Sequence, residues 1–194
     1  TATGVVSPKH NGRTTISVRF EKLQATTQVV IENFHKPDPI GFRYETLAAL
    51  TKQGCNAGSC HGSPRGRGGF SLSLLAYAPA IDAEALIRDG LGRRTNLQDP
   101  DASLLLKKPM LRVTHVGGKR LRKSDTAFEI LRQWIYEGAK PDADNAPTCV
   151  GIDVYPQAPQ QLDIDQRSID PESKSQPKMG RDQQLAILAS FSDG

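Results

Sequence analysis

Gln53-Gly54-Cys55-Asn56-Ala57-Gly58-Ser59-Cys60-His61-Gly62 is the stretch on which the reading of this chain turns. Two thiols stand five positions apart, and an imidazole follows the second directly. That order of groups suits covalent attachment of a haem. Two thiols reach the two vinyl groups, and the adjacent histidine meets the iron from the same side. The usual attachment motif has two residues between its cysteines; here there are four, so the loop must bulge outward. Ala57, Gly58 and Ser59 are small, and Gly58 is free to take positive φ, which makes a bulge cheap. Three other readings compete. Cys-x4-Cys lies in the spacing range of structural zinc sites, but zinc needs two further ligands and no second Cys/His knuckle is present. A Cys55–Cys60 disulfide would leave His61 without a role. Two buried thiols beside a surface histidine would carry no chemistry.

The segments on either side read as helices joined by long loops. Phe42 to Lys52 has Leu47 and Leu50 on one face, and Asp82 to Asp89 reads as a second short helix. Ser103-Leu104-Leu105-Leu106 gives a third apolar turn. The strongest pattern runs from Asp125 to Glu137, with Phe128, Leu131 and Ile135 on the buried face and Trp134 beside them. Thr126 and Glu129 have capping-box spacing, and Gly138 stands where a C-terminal cap is expected. The order is therefore helix, thiol motif, loop, helix.

A haem would need a second axial ligand, either His or Met. The candidates are His10, His35, His115, Met110 and Met179. His10 precedes the first strands, Met179 lies in a polar stretch, and His35 stands just before the helical region. His115 and Met110 both fall in the loop before the last helix. Gly117 and Gly118 favour His115, because glycines let backbone approach a flat group closely. Met110 follows Pro109 after an apolar run and reads equally as packing. The alternative reading of His115 is a loop histidine bonded to an anionic group. Arg93 and Arg94, with Lys119 and Arg120, are candidates for contacts to haem propionates or to a partner. Cys149 reads as a small buried hydrophobe near a strand start.

Several motifs occur in series: Gly54 to Gly62, Gly69-Phe70-Ser71-Leu72-Ser73-Leu74, Gly92-Arg93-Arg94, Ser103 to Pro109, His115 to Arg120, Trp134-Ile135 and Gly138-Ala139. Together they resemble the planctomycete family of c-type cytochrome domains, which occur in large exported proteins beside bacterial Ig-like domains. The likeness covers roughly residues 40–145. It implies an α+β chain: a mainly helical, cytochrome c-like domain over 38–145, with Ig-like β segments at 1–37 and 146–194. It implies one covalent haem c and a periplasmic or otherwise extracytoplasmic location. The stretch 157–181 is longer than the resemblance leads one to expect.

The flanks read as β. Ile16, Val18 and Phe20 alternate with polar residues, and after a polar break Gln28 to Ile31 gives a second strand, with Asn11-Gly12 as a turn signal before them. Val150, Ile152 and Val154 alternate again, as do Leu185, Ile187, Ala189 and Phe191. Between these, 165–181 is polar and reads as a mobile loop. Each flank has too few strands for a sandwich, so the two either pair with each other or belong to separate Ig-like pieces. The chain begins at Thr1 and ends on Ser192-Asp193-Gly194, and both ends read as cut from a longer polypeptide.

The 194 residues are 37% hydrophobic and 24% charged, with a net charge of +4. No apolar run approaches the roughly 18 residues of a membrane span. Aromatics are 6% and the basic residues are dispersed, so no base-stacking platform for nucleic acid is expected. A basic surface suits an acidic redox partner. No nucleophile–base pair or paired acid/base carboxylates stand out, and glycine-rich Gly62 to Gly69 lacks the Lys-Ser/Thr ending of a phosphate loop. The expectation is a non-enzymatic electron-transfer module. A ligand-binding or sensory haem domain with a weak or absent distal ligand is one alternative. A non-haem interaction module with a Cys55–Cys60 disulfide is the other.

Overall fold

The structure, a computed structural model, describes residues 7–158 and 185–193. Met179 and the polar stretch 165–181 lie outside the described residues. The chain divides into two compact units between Asp142 and Ala143.

The first unit opens with an antiparallel hairpin, β1 (Gly12–Phe20) and β2 (Leu23–Ile31), in register from Gly12↔Ile31 to Phe20↔Leu23. The second strand begins five residues earlier than its apolar pattern suggests. Glu21-Lys22 makes a two-residue turn, with Glu21 at φ +51°. Neither residue belongs to the Asn-Gly type that marks such turns in sequence, so the turn was hidden. Val18, Phe20 and Leu23 are exposed.

A single π-helical turn at Phe42–Thr46 runs into α1 (Leu47–Lys52). After the thiol motif come α2 (Pro79–Ile87), α3 (Leu104–Lys107) and α4 (Thr126–Tyr136). Their apolar faces form one core. Leu47 and Leu50 come from α1, Leu86 from α2, Leu106 from α3, and Leu131, Trp134 and Ile135 from α4; each is at least 99% buried. Phe42 meets the Trp134 ring with centres 5.5 Å apart, and the Trp134 indole N–H donates to Lys140 O at 2.8 Å.

The start of the Phe42 turn is capped by residues far along the chain. Asp142 accepts from the N–H groups of Phe42 and Arg43 at 2.5 and 2.9 Å, and Glu137 accepts from Ile40 N–H at 2.8 Å. These carboxylates satisfy orphan donors where the helix dipole favours negative charge. They also strap the end of the unit onto the start of its helical region. At α4 the expected capping box does not form. Asp125, not Thr126, is the N-cap, and its carboxylate accepts from Arg122 N–H at 2.7 Å.

The second unit contains β3 (Cys149–Tyr155) and β4 (Ala186–Phe191), an antiparallel pair with a bulge between Cys149 and Gly151. Each flank therefore pairs within itself, and among the described residues no sheet joins the two. No helix among the described residues is long and apolar enough to cross a membrane.

Candidate functional site

The thiol motif begins where α1 ends. Gly54, at φ +74°, turns the chain out of the helix, a conformation that glycine adopts without the Cβ penalty. The loop is closed on itself: His61 N–H donates to Cys55 O and Cys60 N–H to Ala57 O, both at 2.9 Å. Asn56 is buried and anchors the loop from within, its amide donating to Thr51 Oγ1 at 2.8 Å. Gly58 and Ser59 are exposed, so the two extra residues bulge outward. Gly58 does not take positive φ to do so; the left-handed residue is Gly54, one position before Cys55. Gly62 is needed for another reason. A Cβ there would run into the backbone carbonyl of Asn56.

Cys55, Cys60, His61, Arg93, Arg94 and His115 all line one cavity of about 680 Å³, within the range of about 300–1,000 Å³ usual for small-molecule and cofactor sites. Leu50, Leu104 and Leu105 give it apolar wall, while Arg67, Lys108 and Arg120 add positive charge at its margin. Met110 does not line it; that side chain is buried in the core. His10 and His35 are exposed and away from its lining. Cys149 opens β3 in the second unit, where its thiol meets Gly151 O at 3.4 Å.

The two cavity histidines are held alike. His61 Nδ1 lies 2.9 Å from Phe70 O, and His115 Nδ1 lies 2.8 Å from Gly118 O. A carbonyl only accepts, so each ring must carry its proton on Nδ1, which leaves the Nε2 lone pair free. The ring centres are 6.4 Å apart and the planes within 18° of parallel. Burial lowers the His61 pKa, a fall reinforced by His115 and opposed by the bond to Phe70 O, so His61 is neutral near pH 7. Both thiols are free. Burial, with the neighbouring Cys60 adding to it and Arg120 opposing, holds Cys55 up at about 11.

No protein-family model, curated protein or solved structure matches the chain. The site therefore rests on its own geometry.

The supports of the two rings differ. His61 sits in a frame that reaches the core: its carbonyl accepts from Leu72 N–H at 2.7 Å, and Phe70 packs on its ring with centres 4.5 Å apart. His115 sits in a short, half-buried turn closed by Gly118 N–H to His115 O at 3.0 Å. Lys108 and Arg120 tether that turn by donating to Thr114 O and Gly117 O. Sequence reasoning did not find the carbonyls of Phe70 and Gly118 as the acceptors that orient the rings. A backbone carbonyl leaves no mark in side-chain pattern.

Proposed function

We propose that this chain is an electron-transfer module carrying one covalently bound c-type haem. Cys55 and Cys60 would form the thioether links, and His61 and His115 would be the axial ligands. The observation that carries the reading is the pair of facing imidazoles. Two near-parallel imidazoles lining one cavity, each with its proton directed to a backbone carbonyl, could supply two nitrogen ligands to an iron between them. The His61 and His115 ring centres are 6.4 Å apart, and each ring has Nδ1 on a carbonyl, which leaves Nε2 unprotonated. Both thiols of the motif share their cavity.

Bound there, a haem supplies a one-electron couple at its iron. The chain's own residues do the rest. The carbonyls of Phe70 and Gly118 fix the ligand tautomers and raise their basicity. Leu50, Leu104 and Leu105 provide apolar wall, and Arg93 places a cation at the margin for an anionic substituent. His61 and His115 would both hold the iron, and the group would then supply electron transfer at a potential below that of a His/Met pair. The net charge of +4 suits an acidic redox partner, and covalent haem of this type fits a periplasmic or otherwise extracytoplasmic setting.

The test is to express the chain with haem-attachment machinery. The expected result is an intact mass raised by one haem, covalent haem on a denaturing gel and a low-spin visible spectrum without a methionine-ligand band. Absence of covalent haem from a folded, matured preparation overturns the reading.

A further inference from the structure

Arg94 was a candidate for contact with an anionic group, but its guanidinium is already engaged. Nη1 donates to Ala85 O and Asp89 O at 2.8 and 2.7 Å, and Nη2 donates to Gly69 O at 3.2 Å. Its carbon centre lies 4.5 Å from the middle of the Phe70 ring, a cation–π distance. Its own backbone carbonyl accepts from Leu105 N–H at 3.0 Å, which ties it to α3. Arg93, its neighbour in sequence, donates its backbone N–H to Gly90 O at 3.4 Å, and its side chain makes no hydrogen bond among the described residues.

Gly69 and Phe70 belong to the loop that orients His61. Phe70 O accepts from His61 Nδ1–H, and the Phe70 ring packs on the imidazole. That loop is exposed from Arg67 to Gly69; a bridge between Arg67 and Phe70 closes its tip, and Ser71 Oγ donates to Ser63 O at 3.2 Å across its base. Arg94 joins it to the C-terminal end of α2, where carbonyls collect and a cation is favoured. The planar fork suits this task, since one side chain reaches three carbonyls and still presents a face to an aromatic ring.

We infer that Arg94 is a positioning residue for His61: it clamps the Gly69–Phe70 segment to α2 so that Phe70 O stays under Nδ1 and Nε2 stays free toward the cavity. In a free imidazole the proton favours Nε2, so the tautomer at His61 is imposed by its surroundings. The consequence for haem binding rests on the proposed reading of His61 as an iron ligand. The clamp itself belongs to the chain alone.

The test uses the full haem-free chain above the His61 pKa, with side-chain 15N shifts reporting the tautomer of each histidine. The expected wild-type result is the Nδ1–H form at His61, and the Nε2–H form predominating there overturns the inference. Arg94→Gln should raise the ratio of Nε2–H to Nδ1–H at His61 by about tenfold, the effect of losing a charge-assisted bond, and Arg94→Lys, which loses the planar fork, should raise it in the same direction. His115 should be unaffected, as should both rings in Arg88→Gln, a substitution on an exposed side chain just beyond α2. Near-UV circular dichroism of Trp134 confirms that each variant is folded. If Arg94→Gln unfolds, Arg94→Lys, which keeps the charge and most of the stem, decides the matter. An unchanged His61 ratio in the folded Arg94 variants overturns the inference. A matured chain without haem would overturn the functional proposal and leave the tautomer result standing.

Discussion

His61 and His115 face one another across the cavity with ring centres 6.4 Å apart and planes 18° from parallel. Each ring is held by its own carbonyl acceptor, Phe70 O for His61 and Gly118 O for His115. The supports are unequal, and the weaker one is at His115. Under the haem proposal, His115→Ala should leave the covalent mass unchanged while the oxidised spectrum turns high-spin. The reduced protein should then bind carbon monoxide promptly. A low-spin spectrum unaltered by the substitution would move the distal ligand elsewhere and favour neither His115 nor the cavity geometry.

Gly62→Ala tests the closed loop. Its Cβ would meet the Asn56 carbonyl, which is backbone and is itself fixed by Leu75 N–H at 3.2 Å. Neither partner can rotate away, so the loop must shift. The expected cost is about 1–3 kcal/mol in urea unfolding, in the range of overpacking substitutions. Haem attachment should fall as well, because the displaced atoms lie between Cys55 and His61. Wild-type stability in this variant would show that the loop is more plastic than its bonds suggest.

Leu131→Ala probes the core beneath the site. Leu131 is 1% exposed on the inner face of α4, and removing its side chain leaves a cavity among rigid neighbours. The expected loss is about 2–5 kcal/mol, read from the urea midpoint at unchanged slope. A loss well below that range would mean that α4 can collapse into the space.

Helix α4 was legible in the sequence because its apolar residues recur at helical spacing, and the four residues expected on or beside its buried face are buried. The motif loop was legible too, down to its outward bulge, because the small residues between Cys55 and Cys60 sit where the chain must leave the core. Much else was not. The cap on Phe42 comes from Asp142, a hundred positions away, and no local pattern encodes such a pairing. Strand β2 was read too short because its first half, Leu23 to Thr27, is defined by the partner strand rather than by alternation. Arg94 reads in sequence as a candidate for contact with a haem propionate or a partner, although its acceptors are carbonyls that only the folded chain assembles.

Cys55 offers a test that needs no haem. A thiol held up at about 11 has roughly one part in a thousand as thiolate at pH 8, and the thiolate is the reactive form. Alkylation of Cys55 in the folded, haem-free chain should therefore be slow at pH 8. Its rate should rise about tenfold per pH unit until it levels near pH 11. Peptide mass spectrometry after timed iodoacetamide labelling reads this directly. Unfolding the chain in urea should abolish the protection. Labelling of folded Cys55 as fast as in urea would show that the thiol is not desolvated.

Asp101 and Arg132 link the turn before α3 to α4 by a 2.8 Å ion pair. The hydrogen bond from Arg132, with the charges of Arg132 and Lys123, holds the Asp101 carboxyl below its ordinary range against an opposing burial effect. The folded state thus favours the ionised form more than the unfolded state does. The resulting stabilisation is present above the unfolded value of about 3.9 and is lost as pH falls through the lower folded value. Asp101→Asn removes the charge. Urea midpoints of wild type and variant should therefore differ most above about pH 4 and converge as acid protonates Asp101. The pair is partly exposed, so added salt should narrow the difference at neutral pH. Parallel pH profiles for the two proteins would mean that Asp101 titrates alike in both states and that the ion pair contributes nothing to stability.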